Sequence, residues 1–108
     1  MRQIVAYKRF FLDFYEKQNA TVQEKIEWTL SLIEDLEIVP TKYFKHVEGK
    51  LYEVRVQAGN NIYRIFSFFD HSNLVVLASA IQKKTQKLHR KEIELTMRIM
   101  EEYFNEKE

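Results

Sequence analysis

Two periods divide the chain. In the first third, apolar side chains recur at helical spacing, with Phe10, Phe11, Phe14 and Tyr15 on one face of a short helix. Thr21 followed by Glu24 has the form of a capping box and predicts the start of a second helix. Val22, Ile26, Leu30 and Ile33 make one stripe along it, and it stops before Pro40. Ahead of both, Met1 to Tyr7 alternates weakly around Ile4 and Val5 and reads as a first strand. From Leu51 the period becomes two. In Leu51–Ala58, Tyr52, Val54, Val56 and Ala58 face one way while Glu53, Arg55 and Gln57 face the other. Gly59, Asn60 and Asn61 supply hairpin chemistry, and Ile62–Phe69 follows as a strand apolar on both faces apart from Arg64 and Ser67. A polar turn over 70–73 leads into another buried strand, Leu74–Ile81. The helical period returns over Lys91–Phe104, with Ile93, Met97, Met100 and Phe104 on one side.

The predicted order is β-α-α-β-β-β-α, an α+β fold with a mainly antiparallel sheet packed by helices. A length of 108 residues suits one domain spanning 1–108, and burial of roughly 65% of the unfolded surface allows one modest core. Eight Phe and six Tyr mean that aromatic rings supply much of that burial. With two Gly and one Pro there is no linker or low-complexity tract, and no repeat is visible. Cysteine is absent, which rules out disulfides and thiolate metal sites. No signal pattern and no membrane-length apolar run is present, so the expectation is a cytoplasmic protein without a membrane partner.

Net charge changes the picture only when it is divided. The total is +1, but residues 1–40 carry −2, residues 41–91 carry ten basic and three acidic side chains for +7, and residues 92–108 carry −4. A positive middle suits a polyanion, because Lys and Arg attract phosphates and release their counterions. A solvated basic face opposite acidic helices is the plainer alternative.

Several chemistries are unsupported. There is no HExxH, no carboxylate cluster and no phosphate-cradling glycine loop, so neither a metal nor a cofactor is expected. His46, His71 and His89 lack ligand spacing and read as surface loop residues. Arg64 is the sharpest feature, the single charge among the ten residues from Asn60 to Phe69. A guanidinium among Ile62, Phe66 and Phe68 must find an acceptor. Either it pairs internally, with Glu53 or Asp70, or it edges a groove and waits for a phosphate. Arg55 lies within cross-strand reach of it. Beyond the last strand, Gln82-Lys83-Lys84-Thr85-Gln86-Lys87, then Arg90 and Lys91, form a basic patch.

Three segments carry a family resemblance. Leu51-Tyr52-Glu53-Val54-Arg55-Val56, then Asn61-Ile62-Tyr63-Arg64-Ile65-Phe66-Ser67-Phe68-Phe69-Asp70, then Gln82-Lys83-Lys84-Thr85-Gln86-Lys87 with Glu92-Ile93, resemble the RelE/HigB toxins of bacterial type II toxin–antitoxin pairs, in particular the phage-related HigB-like branch. The resemblance implies an endoribonuclease, an mRNA interferase that cuts mRNA on the translating ribosome and is held inactive by an antitoxin, a helix-turn-helix protein. It implies roles in RNA binding and transition-state stabilisation for Arg55 and Arg64, and maps the family's basic segment onto Lys83, Lys84 and Lys87. Catalysis is therefore assigned to Arg55, Arg64, Lys83 and Lys84, and RNA binding to these with Lys50, Lys87 and Arg90. The 2′-hydroxyl can attack the adjacent phosphate once a base removes its proton, with Lys83 or Lys84 as base if neighbouring cations lower its pKa. Two segments depart from the branch. Ser79-Ala80-Ile81 stands where Asn-Gly-Phe or His-Gly-Phe is common, and Leu88-His89 where Thr-Pro is usual. A ParE-like gyrase-binding toxin and a non-catalytic RNA-binding or interaction module are the competing readings. The acidic last helix, the aromatic first helix and Trp28, which is off its helix stripe, are candidate antitoxin contacts.

Overall fold

The computed structural model describes residues 1–84 and 90–107. Its elements are β1 (Gln3–Ala6), α1 (Phe10–Glu16), α2 (Ala20–Asp35), β2 (Phe44–Glu48), β3 (Leu51–Ala58), β4 (Asn61–Asp70), β5 (Leu74–Lys83) and α3 (Arg90–Lys107). The five strands form one sheet in the order β1-β5-β4-β3-β2, with β1 parallel to β5 and every other pair antiparallel. The α+β class holds. The sheet has one strand more than the pattern predicts: β2 lies where the pattern shows only a loop, and His46 is a strand residue rather than a loop residue. A bulge between His46 and Glu48 shifts the register there, so the five residues never show a period of two.

Helices cover both faces. On one, Phe11 of α1 and Val22, Ile26 and Ile33 of α2 pack against Val54, Val56, Ile65, Val75 and Leu77. On the other, Ile93 and Ile99 of α3 pack against Leu51, Phe66, Phe68, Val76 and Ala78. This explains why β4 reads as apolar throughout: its alternate residues feed two different cores. Gly59, at φ 62°, makes the tight turn from β3 to β4 that a side chain would strain.

Local chemistry fixes the helix ends. The cap of α2 is Asn19, whose Oδ1 accepts from the Val22 backbone N–H at 2.9 Å. Thr21 lies inside the first turn and is exposed, which corrects the capping box. Arg2 closes the other end of α2, donating to the carbonyls of Ile33, Leu36 and Glu37 at 3.0, 2.6 and 2.9 Å. α3 is tied down twice. Ser79 and Thr96 share a buried hydroxyl–hydroxyl bond of 2.9 Å, and Asp70 accepts from Tyr103 Oη at 2.6 Å and Lys107 Nζ at 2.5 Å. Those bonds hold the Asp70 carboxyl below the usual carboxylate range. Among the described residues no helix is long and apolar enough to cross a membrane.

Candidate functional site

β3 and β4 pair so that Arg55 stands directly opposite Arg64, both on the face that α3 covers further along. Like charges directly across a ladder repel. The strands nonetheless tolerate the pair because Glu53 lies two residues before Arg55 on the same face. Its Oε1 is 3.1 Å from Arg55 Nε and its Oε2 3.5 Å from Arg64 Nε. Glu53 is 5% exposed and Arg64 6%. Of the two alternatives left open by the sequence, the internal pair is present, and Arg64 also lines a cavity. Arg64 does pair with Glu53 rather than Asp70, yet the pairing leaves the guanidinium short of acceptors. Neither Nε–H is aligned for a hydrogen bond to the carboxylate, and Arg64 Nη1 is buried with no hydrogen-bond partner among the described residues.

Two lysines complete the cluster. Lys45 of β2 is the register partner of Glu53, and Lys83 closes β5 opposite Ile62, on the same face and two residues beyond the partner of Arg64. Lys45, Arg55, Arg64 and Lys83 surround Glu53 in a cavity of about 330 Å³ that His46 and Val47 also line. Four cations to one carboxylate leave the pocket positive. Desolvation, with the charges of Arg64 and Arg55 adding to it, holds the Lys83 ammonium below the usual lysine range.

Of the residues singled out from sequence, Arg55, Arg64 and Lys83 meet in this pocket. Lys83 belongs to β5, which runs two residues past the strand end that the pattern predicts, and exposed Lys84 follows it. Lys50 and Arg90 do not line the pocket. Lys50 sits in the β2–β3 turn with its ammonium 5.7 Å from the Phe104 ring centre, and Arg90 reaches both Glu48 oxygens at 3.1 and 3.2 Å. Lys87, Leu88 and His89 lie outside the described residues. Ser79, in the segment that departs from the branch pattern, faces Thr96 and serves the docking of α3. Lys45 escapes the sequence reading because its strand does. Its signal is faint: Phe44-Lys45-His46-Val47 running into the turn at Gly49. Among the described residues no three carboxylate or imidazole groups are placed to hold a metal ion.

A sheet end that presents paired arginines and two lysines, one with a weakened hold on its proton, can grip a phosphate and accept a proton beside it. No curated protein matches the chain. Residues 13–101 do match a family described as Phage derived protein Gp49-like (DUF891), and over that span the chain belongs to this Gp49-like family, a branch of the RelE/HigB-like toxin superfamily.

Proposed function

We propose that the protein is the toxin of a type II toxin–antitoxin pair, of the HigB-like kind, acting in the cytoplasm as an endoribonuclease on mRNA at the ribosome. Its partner would be an antitoxin of the helix-turn-helix type. The observation that carries the reading is the under-satisfied guanidinium of Arg64, 6% exposed, with Nη1 unpartnered among the described residues at the wall of a cationic cavity. Burying such a donor unpaired costs on the order of 1–3 kcal/mol or more, a cost that a bound phosphate oxygen would remove.

The reaction follows from the residues. The RNA 2′-oxygen attacks the adjacent phosphorus, the bond to the 5′-oxygen breaks, and a 2′,3′-cyclic phosphate forms. Lys83, in its neutral form, takes the 2′ proton. The leaving 5′-oxygen takes a proton from water or from a neighbouring ammonium. Arg64 and Arg55 meet the charge growing on the phosphate oxygens, with Glu53 paired to both. Lys84, just beyond the strand, contacts the strand of RNA rather than the reacting atoms.

RNA cleavage in a translating extract tests this. Arg64→Ala, folded by circular dichroism, is expected to cut about 100- to 1,000-fold more slowly, the loss seen when one preorganised transition-state donor is removed. Cleavage at the parent rate would sink the mechanism. Gyrase inhibition in a supercoiling assay without RNA cleavage would identify a ParE-like toxin instead.

A further inference from the structure

β2 begins at Phe44, opposite Val54, so among the described residues no strand of the sheet lies outside β3 from Val56 to Ala58. The pairing ends where the Arg55 backbone N–H donates to Tyr43 O at 2.8 Å. Beside that open edge is a second cavity of about 360 Å³, lined by Lys25, Lys42, Tyr43 and Gln57 among others, and by Arg55, which also lines the cationic pocket. Lys25, Gln57 and Gly59 are shared in turn with a third, shallower hollow that reaches Trp28. The three hollows therefore adjoin in order, the first two meeting at Arg55 and the last two at Lys25, Gln57 and Gly59.

The chemistry along these hollows alternates. Lys42 Nζ lies 5.0 Å from the Tyr43 ring centre and Lys25 Nζ 4.2 Å from that of Trp28. The two rings meet edge to face at 5.6 Å, and Trp28 is 44% exposed. Cations that follow a backbone, interleaved with aromatic faces on which bases stack, are what single-stranded RNA requires of a surface. Lysines parked on an exposed indole and a half-buried tyrosine ring are displaced at little cost, because base stacking is the stronger contact. Once displaced, they are within reach of the phosphates on either side of a stacked base. Glu24 is the one carboxylate lining the outer hollows.

We infer that the groove between α2 and the open edge of β3 binds the single-stranded RNA flanking the scissile phosphate, with Tyr43 stacking a base and Lys25 and Lys42 holding phosphates. The inference rests on the ribonuclease reading and extends it from one phosphate to a stretch of strand. It also takes Trp28 for RNA rather than for an antitoxin.

The test is fluorescence anisotropy of the full chain with 2′-O-methyl oligoribonucleotides, which lack the attacking hydroxyl. The parent is expected to bind an octanucleotide more tightly than a trinucleotide. Tyr43→Ala removes a stacking platform and Lys42→Glu a phosphate partner, so each should weaken the octanucleotide about 10-fold and leave the trinucleotide unchanged, while Tyr43→Phe behaves as the parent. Lys42 is exposed, so its replacement leaves the core intact. Equal affinity for both lengths in the parent, or parent-like octanucleotide binding by Tyr43→Ala and Lys42→Glu, overturns the inference. If those variants keep parent-like RNA binding but lose binding to the antitoxin, the groove belongs to a protein. A parent that binds neither oligonucleotide and cuts no RNA overturns the ribonuclease reading as well.

Discussion

Arg55 and Arg64 face each other across a ladder where their charges repel, and the nearest carboxylate reaches each of them only by one oxygen. A structural ion pair would be better served by one arginine and one well-aligned carboxylate, since a buried pair repays its desolvation only when geometry is good. The arrangement instead leaves positive charge in excess, and Lys83 registers it. Its lowered pKa is caused first by desolvation, then by Arg64 and Arg55. If the neutral amine of Lys83 is the base, cleavage rises with pH as that amine loses its proton, and the lowered pKa brings the rise below the ordinary lysine range. Arg55 opposes the charged form of Lys83, so Arg55→Ala raises the lysine's pKa and moves the alkaline limb to higher pH, besides lowering the maximum. A pH–rate profile of single-turnover RNA cleavage reads both. A limb that stays in place in Arg55→Ala, or that persists in Lys83→Arg, would remove Lys83 from the role of base.

At the scale of elements, Asn19 rather than Thr21 secures the start of α2. Asn19→Ala is expected to cost about 1 kcal/mol in urea unfolding, whereas exposed Thr21→Ala changes little. The reverse order would restore the capping box. The difference between the two caps shows how far the fold is legible in the residues alone. The elements with an unbroken period (the α2 stripe, β3, β4 and α3) are visible because each buries one face or two against a partner. What escapes is local. β2 carries a bulge that breaks its alternation, and the end of β5 carries Gln82 and Lys83, which look like a loop until Ile62 and Tyr63 are seen pairing with them. The site suffers from the same gaps. Arg55 and Arg64 stand out as charges on strands, but Lys45 has no visible strand to stand on, and the role of Glu53 as the carboxylate shared by both arginines depends on cross-strand register that periodicity does not supply.

For the whole molecule, the +7 carried by residues 41–91 overstates the surface that RNA would meet under the proposed function. Arg90 is engaged by Glu48, Lys50 turns toward Phe104, Lys42 lies out along the groove and Lys84 and Lys91 are exposed outside the pocket, so that of the described basic residues in this segment Lys45, Arg55, Arg64 and Lys83 line it. Each phosphate neutralised on a single strand contributes about −0.7 to the slope of log K against log salt, so the two internucleotide phosphates of a trinucleotide predict a slope of about −1.4. For a trinucleotide confined to the pocket, raising salt from about 50 to 200 mM should then weaken binding roughly 7-fold. Arg64→Ala should flatten the slope by about 0.7, and Arg90→Ala should leave it unchanged, because Arg90 lies outside the pocket. Titration of a fluorescent trinucleotide at several salt concentrations distinguishes a local grip from a diffuse field. An Arg90→Ala effect equal to that of Arg64→Ala would mean that the protein attracts RNA by its overall positive face and that the cluster around Glu53 has no privileged phosphate.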